Sequence, residues 1–316
     1  MKAGAGRAER PMVPRADFTS YFGRPVVKET VWGPAIPSYL FLGGLAGASS
    51  TLAAGAQLSG HAELARAAKA GAAGAISLSM AALVADLGRP ARFVNMLRVF
   101  KVTSPMSVGT WLLSAYTPCA MAAAASAVSH RLPRAGVAAT CGAALVGPGV
   151  AAYTSVLLAD TAAPAWYDAR HELPYLFVGS AASAAGGHGL CAGAPAHARP
   201  AARLAGAGAA AELAAEWLLD RRLGPAGEPY RTGRAGTLMR AGRLLAAGGA
   251  AVGLTSRHRA VSVVSGAALL AGSVVTRFGV FEAGRESARD PRYTVVPQRE
   301  RLRQSAQPLR MAEAHA

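Results

Sequence analysis

Long apolar runs alternate with short polar segments along most of the chain. In about eight windows of 18–22 residues, Asp, Glu, Lys and Arg are almost absent. A helix of roughly 20 apolar residues matches the hydrocarbon thickness of a bilayer. We therefore predict eight transmembrane helices, over about residues 37–59, 64–87, 107–129, 136–158, 174–194, 201–219, 238–254 and 260–281.

Four positions modify this pattern. Gly43 and Gly47 form a GxxxG spacing in the first predicted helix, which permits close helix contact in lipid. The sixth predicted helix is the least apolar because Glu212 and Glu216 interrupt it. These two carboxylates are four residues apart, so they share one helix face.

A repeat divides the apolar part of the chain into two halves. The segment YLFLGG at 39–44 recurs as YLFVGS at 175–180, which is 136 residues or four predicted helices later. Units with an even number of helices point the same way across the membrane. The predicted fold is therefore an all-α integral membrane protein, with eight transmembrane helices arranged as two parallel four-helix bundles.

Polar segments flank the predicted membrane domain. Residues 1–36 form an N-terminal arm, and residues 285–316 form an Arg-rich C-terminal tail. The membrane domain covers 37–284, with halves at about 37–160 and 174–284.

The charge distribution predicts an orientation. The net charge is +16, and the side of the termini and long loops holds 25 Lys and Arg against 8 on the other side. By the positive-inside rule, both termini are predicted to lie in the cytoplasm and the protein in the cytoplasmic membrane. No basic patch is interleaved with aromatic residues, so nucleic-acid binding is excluded.

Cysteine usage argues against a metal centre carried by this chain. Cys119, Cys141 and Cys191 are isolated and fall within apolar runs. No CxxC or comparable ligand spacing is present, so we predict no metal site and no iron–sulfur cluster.

The densest polar stretch between apolar runs covers residues 86–111, DLGRPARFVNMLRVFKVTSPMSVGTW. Together with PSYLFLGGLAG before it, and with PAWYDARHELPYLFVGSA and RFGVFEAG after it, this stretch resembles the polysulfide reductase membrane-subunit (NrfD-like) family. The resemblance extends over roughly residues 37–284. It implies an eight-helix subunit without covalently bound cofactors, with menaquinone or ubiquinone as an exchangeable substrate. It also implies two partners, a ferredoxin-like four-cluster iron–sulfur subunit and a molybdopterin-type catalytic subunit.

The implied function is electron transfer between the quinone pool and the docked iron–sulfur subunit. Quinone reduction takes up two electrons and two protons, so the site needs hydrogen-bonding groups and a proton path within an apolar slot. The candidates for quinone binding or the proton path are Tyr39, Asp86, Arg89, Arg92, Ser107, Trp111 and Glu212. The candidates for partner docking are Arg98, Lys101, Asp168 and His171.

Most of these candidates also have a simpler explanation. Asp86 either relays protons or pairs with Arg89 to fix the loop, and Glu212 either carries protons or bonds to another helix. Tyr39 and Trp111 are also typical of interfacial aromatic belts. Ser107 fits a cap of the third predicted helix, and Arg98 and Lys101 fit the cytoplasmic charge bias.

Two other functions stay open at this stage. An eight-helix repeat protein with a buried carboxylate can be a secondary transporter, and the scaffold can also be a passive anchor that has lost its quinone site. The orientation is open as well, because the docked subunits of polysulfide reductase-type complexes face away from the cytoplasm, whereas the charge count places the loop-rich side inside.

Overall fold

The computed structural model describes residues 24–87, 89, 91–193, 198–255, 258–299 and 301–302, and these are helical without strands. Most of the predicted N-terminal arm and the last part of the predicted tail, residues 1–23 and 303–316, lie outside the described residues. The α-helices of the described part are α1 (Ala35–Leu58), α2 (Ala62–Asp86), α3 (Ala91–Met96), α4 (Pro105–Ser129), α5 (Pro133–Ala159), α6 (Pro164–Asp168), α7 (Leu173–Ala192), α8 (Arg199–Leu223), α9 (Glu228–Arg231), α10 (Gly233–Thr255) and α11 (Arg259–Arg289).

Within the described residues, five helices are long and apolar enough to cross a membrane, namely α1, α2, α4, α5 and α11. The fold is therefore all-helical and consistent with a multi-pass membrane protein. Three more described helices are 20 or more residues long but do not meet both criteria, namely α7, α8 and α10. Helix α7 is rich in Gly, Ala and Ser, whereas α8 and α10 carry several charged side chains.

The long helices contact one another in two similar sets. In the first helix group, α1 packs on α2 and α5, and α4 packs on the same two helices. In the second helix group, α7 packs on α8 and α11, and α10 packs on the same two helices. Helices α1 and α5 of the first group contact α7 of the second, and α1 also contacts α11.

Small residues bring these helices close together. A Cβ on Gly47 of α1 would overlap the backbone carbonyl of Gly147 in α5, and a Cβ on Gly147 would overlap that of Gly47. The close contact predicted from the GxxxG spacing is therefore present at Gly47. Between α7 and α8, a Cβ on Gly179 would lie 2.6 Å from the backbone nitrogen of Glu212. An α-carbon without a side chain is required at such positions because the backbones themselves are in contact.

The helix bounds differ from the predicted ones mainly at the polar ends. Helix α8 continues to Leu223 and α11 to Arg289, so both extend past the apolar windows. Helix α5 continues through Pro148 without interruption. The short helices α3 and α6 lie in segments that the apolar pattern assigns to loops.

The described part of the N-terminal arm is attached to the end of α11. The carboxylate of Glu29 accepts hydrogen bonds from Arg285 at 2.9 Å and from Arg289 at 2.7 Å. Trp32 stacks on the buried Trp166 of α6 with ring centroids 6.0 Å apart. Because the arm, the end of α2 and the start of α4 lie at the same end of the helices, we call this the arm end.

Candidate functional site

The loop between α3 and α4 is held against the first turns of α4 by hydrogen bonds. The Ser107 hydroxyl donates to the backbone oxygen of Val99 at 3.0 Å and accepts from the backbone nitrogen of Lys101 at 2.9 Å. The Trp111 indole donates to the same Val99 oxygen at 3.4 Å. Ser107 therefore orders the loop rather than capping α4.

An apolar groove lies on the α5 side of this loop, at the arm end. It has a volume of about 400 Å³ and is formed by the loop, α4 and α5. Its lining is almost entirely apolar and consists of Val102, Thr103, Pro105, Val108, Leu112, Gly149, Tyr153 and Val156. A groove of this size, with one phenol among apolar walls, has the character of a small-molecule site.

The phenol of Tyr153 connects this groove to the interior of the first helix group. Tyr153 lies next to Tyr39, which is 1% exposed, and the two phenol side chains interact electrostatically. Gly109 in α4 makes room for the Tyr153 ring, since a Cβ there would overlap it. The Tyr39 backbone oxygen in turn accepts a hydrogen bond from Ser79 at 3.2 Å. Tyr39 thus lies behind Tyr153, and the two hydroxyls form a polar link leading inward from the groove.

Sequence reasoning did not single out Tyr153. Its hydroxyl lies within an apolar run, and a lone polar group in such a run is a feature that could have identified it.

The other candidates of the 86–111 stretch lie at the arm end but not in the groove lining. Asp86 ends α2, and its carboxylate interacts with the backbone of Gly33 in the arm rather than pairing with Arg89. Arg92 donates to the backbone oxygen of Leu87 at 3.4 Å. The side chains of Arg89, Arg92, Arg98 and Lys101 are exposed. Lys101 directly precedes Val102 of the groove lining, and we call the four exposed cations of this segment the positively charged surface.

Glu212 lies in the second helix group, away from the groove. It is 1% exposed, and its Oε1 accepts a hydrogen bond from Thr276 at 2.9 Å. Its Oε2 is buried without a hydrogen-bond partner among the described residues. The nearest compensating charge is Arg277 of α11, which interacts with it electrostatically.

Arg277 is a buried cation that the sequence reasoning missed. Its side chain is 0% exposed, lies 3.8 Å from the centre of the Phe177 ring and donates to the Phe177 backbone oxygen at 2.7 Å. It is the first residue of the RFGVFEAG segment. A charged residue inside an apolar run was the feature that could have identified it.

Glu216 and Asp220 lie one and two turns beyond Glu212, and each forms ion pairs with arginine side chains. Arg243 of α10 bonds Glu216 at 2.7 Å and approaches Asp220 at 3.6 Å. Arg231 also bonds Asp220, at 3.0 Å. These carboxylates and arginines connect α8 and α10 at the arm end.

The segment between α5 and α7 contains the remaining docking candidates. Asp168 is half-buried at the end of α6, and burial raises the pKa of its carboxyl group. His171 is exposed, whereas the neighbouring Glu172 is buried and bonds Arg222 at 2.6 Å. Asp168 and His171 lie at the arm end, as the docking hypothesis requires.

His188 of α7 packs against α2. A Cβ on Gly71 would overlap the His188 ring, so the glycine provides the space for it. The Nδ1 atom is buried without a hydrogen-bond partner among the described residues.

Comparison with known proteins identifies the family. No curated protein matches the chain. The family profile described as "Polysulphide reductase, NrfD" matches residues 25–194, more than half of the chain. The matched region contains the first helix group, the groove and α7, and family membership indicates a membrane subunit of a redox complex. The chain therefore belongs to the polysulphide reductase, NrfD family.

Proposed function

We propose that the protein is a quinone- or quinol-interacting membrane subunit of a multi-subunit oxidoreductase. It exchanges electrons between a membrane quinone and a docked iron–sulfur subunit. The observation that carries this proposal is the apolar groove at the arm end, whose lining includes the Tyr153 phenol. A quinone head group needs an apolar slot and a hydrogen-bonding partner for its carbonyl oxygen, and the groove offers both.

The polar link behind the groove provides a route for protons. Reduction of a quinone consumes two protons, and a phenol within hydrogen-bonding reach of a carbonyl oxygen can donate one. Tyr39 interacts with Tyr153 from the interior side of the groove, so Tyr39 can replace a proton that Tyr153 loses. Menaquinone or ubiquinone is the proposed exchangeable substrate.

The positively charged surface beside the groove is the proposed docking site for the iron–sulfur subunit. Arg89, Arg92, Arg98 and Lys101 are exposed there. A partner surface rich in carboxylates would be steered to them, with a strong dependence on ionic strength. A molybdopterin-type catalytic subunit is the proposed third component.

We further propose that all eight long helices cross the cytoplasmic membrane, as two parallel four-helix bundles. Two of the charged side chains that keep α8 below the apolar criterion are directed inward, because Glu212 and Glu216 are 1% and 2% exposed. Helix α7 has most of its residues buried by other helices. These helices therefore expose less surface to lipid and can be less apolar than α4, whose apolar window is only 22% buried.

Glu212 is a candidate for a second, deeper proton-carrying group. A buried carboxylate with one oxygen bonded to Thr276 and the other unpartnered can hold or release a proton as its surroundings change. Because Glu212 lies in α8 whereas the groove is formed by α4, α5 and their loop, we propose that it conducts protons across the second helix group rather than binding quinone.

The test is Tyr153→Phe in the complex as isolated with its partner subunits. We expect quinone-linked turnover to fall about a hundredfold, the low end for a lost general acid, while the subunits still co-purify. Tyr175→Phe is the matched control, since Tyr175 occupies the position equivalent to Tyr39 in the second half and is 72% exposed. Wild-type turnover in Tyr153→Phe would overturn the site.

A further inference from the structure

A second cavity lies at the end of the first helix group opposite the arm end. It has a volume of about 420 Å³ and lies between the turn joining α1 to α2 and the turn joining α4 to α5. The polar side chains in its lining are Gln57, Arg66, Lys69, Ser126 and His130. None of these residues belongs to the proposed quinone site.

The cavity concentrates positive charge without a carboxylate to balance it. Arg66 and Lys69 are three residues apart and therefore lie on the same face of α2. The Lys69 ammonium donates to the neutral Gln57 amide oxygen at 2.6 Å. Within the described part of the chain, the lining contains no Asp or Glu. His130, which ends α4 in a left-handed conformation with φ 55°, adds ring nitrogens.

The depth of Lys69 places this charge where lipid head groups meet acyl chains. Lys69 is seven residues from the start of α2, or roughly 10 Å along the helix axis. Its long side chain allows the ammonium group to reach back toward the membrane surface. The opening of the cavity therefore faces the head-group layer if the helices cross a membrane.

An exposed apolar stripe on α5 starts at the cavity. Val137 lines the cavity and is 46% exposed, and Leu145 is 84% exposed two turns further along. Cys141 lies between them at the same four-residue spacing and is also exposed. The three side chains share one helix face, which extends from the cations toward the middle of the helix.

We propose that this cavity binds a phosphate-bearing anion, and that the anion is the head group of an acidic phospholipid. Arg66 and Lys69 bind the phosphate oxygens, His130 and Gln57 border the head group, and one acyl chain lies along Val137, Cys141 and Leu145. The stripe favours a lipid over free phosphate, because a small anion would make no use of it. Basic pockets between transmembrane helices are a known mode of recognition for acidic head groups.

The test uses the full-length protein in detergent, titrated with phosphatidylglycerol, with phosphatidylcholine and with inorganic phosphate, and monitored by native mass spectrometry. We expect saturable binding of phosphatidylglycerol in preference to phosphatidylcholine. The double variant R66Q/K69Q should weaken this binding about a hundredfold, since each direct charge-assisted contact with the phosphate contributes roughly a factor of ten. The charge-preserving variant R66K/K69R should retain most of it.

The matched control is R131Q/R134Q, which removes the same charge at the same end of the helices. Arg131 and Arg134 are exposed and lie in or next to the α4–α5 turn but do not line the cavity. We expect at most about a threefold effect, because exposed charges screened by salt contribute little. Equal losses in the two double variants, or equal binding of both lipids by the wild type, would overturn the site. If inorganic phosphate alone binds with the same dependence on Arg66 and Lys69, the phosphate site stands but the lipid assignment is wrong.

Discussion

Arg277 and Glu212 show how single residues of the second helix group tolerate buried charge. Arg277 is compensated by the Phe177 carbonyl and ring, by its interaction with Glu212, and by little else, since its Nε and Nη1 have no partner among the described residues. The Glu212 carboxylate is compensated by a hydrogen bond from Thr276 and by the charge of Arg277. Each residue therefore depends on the other to offset the cost of leaving water.

This dependence predicts a non-additive pair of substitutions. Arg277→Met should destabilise the protein by about 3–5 kcal/mol, because it leaves Glu212 as an uncompensated buried charge. E212Q/R277M should be more stable than Arg277→Met alone, since the remaining amide still accepts from Thr276. Thermal unfolding in detergent measures both effects. Strictly additive losses would mean that the two charges do not compensate each other.

The same pair shows what a sequence can predict at the residue scale. A carboxylate in an apolar run is anomalous by itself, so Glu212 was identified as a candidate. Its partner was not, because Arg277 is 65 residues away in sequence and only the packing of both α8 and α11 on α7 brings the two together. Tyr153 was missed for a similar reason, since its role depends on a groove that sequence periodicity does not describe.

At the scale of the helices, direct contact between two helix backbones allows only glycine at the contact positions. Helices α1 and α5 meet at Gly47 and Gly147, where neither residue has room for a Cβ. Gly55 lies two turns further along α1, and a Cβ added there would have no other atom within 4 Å. These two glycines of one helix therefore separate the effect of packing from that of helix propensity.

We accordingly expect opposite results from two alanine substitutions. Gly47→Ala should destabilise the protein by about 1–3 kcal/mol, because the added methyl forces α1 and α5 apart. Gly55→Ala should be neutral or stabilise by up to about 1 kcal/mol, because Ala favours the helix over Gly. Thermal unfolding of both variants in the same detergent is the measurement. Similar behaviour of the two would contradict close packing at Gly47.

The attachment of the arm to α11 predicts a pH dependence. The hydrogen bond from Arg289 lowers the pKa of Glu29 below its ordinary value of 4.5. A carboxylate with a depressed pKa contributes stability above its ordinary pKa and loses it as the pH falls through the lowered one. The arm should therefore detach from α11 only when the pH falls below about 4.5.

Tryptophan fluorescence can follow this detachment, because Trp32 stacks on Trp166. In a W111F/W217F background, the signal from Trp32 and Trp166 should change on acidification below pH 4.5. Glu29→Gln should remove that transition, whereas Glu63→Gln, at the opposite end of the helices, should retain it. A transition unchanged in Glu29→Gln would show that another group is responsible.

At the scale of the whole molecule, the two halves share helix contacts but differ at the arm end. Tyr39 of the first half is buried beside Tyr153, whereas its equivalent Tyr175 is 72% exposed. The exit from α2 has exposed arginines near Asp86, whereas at the related exit from α8 Asp220 is bonded to two arginines. The first half thus keeps an open groove and an exposed basic surface, while the second uses similar residues to join its helices.

The sequence repeat predicted that the two halves share their helix contacts, but it did not predict that they differ at the arm end. Apolar periodicity and the 136-residue offset record which helices are equivalent. They do not record which arginine meets which carboxylate, because ion pairs at helix ends depend on the rotation and the offset of neighbouring helices. The difference between the two exits therefore becomes visible only in the folded protein.

The orientation of the molecule in the membrane is the remaining prediction. The 25 Lys and Arg on the side of the arm end, against 8 on the other, favour a cytoplasmic arm end. We expect a single cysteine introduced at Arg299, beyond α11, to be protected from a membrane-impermeant maleimide in intact cells. A cysteine at Arg134, at the opposite end, should be labelled. Cys119, Cys141 and Cys191 are first replaced by alanine. Labelling at 299 with protection at 134 would reverse the orientation, and the iron–sulfur subunit would then dock outside the cytoplasm.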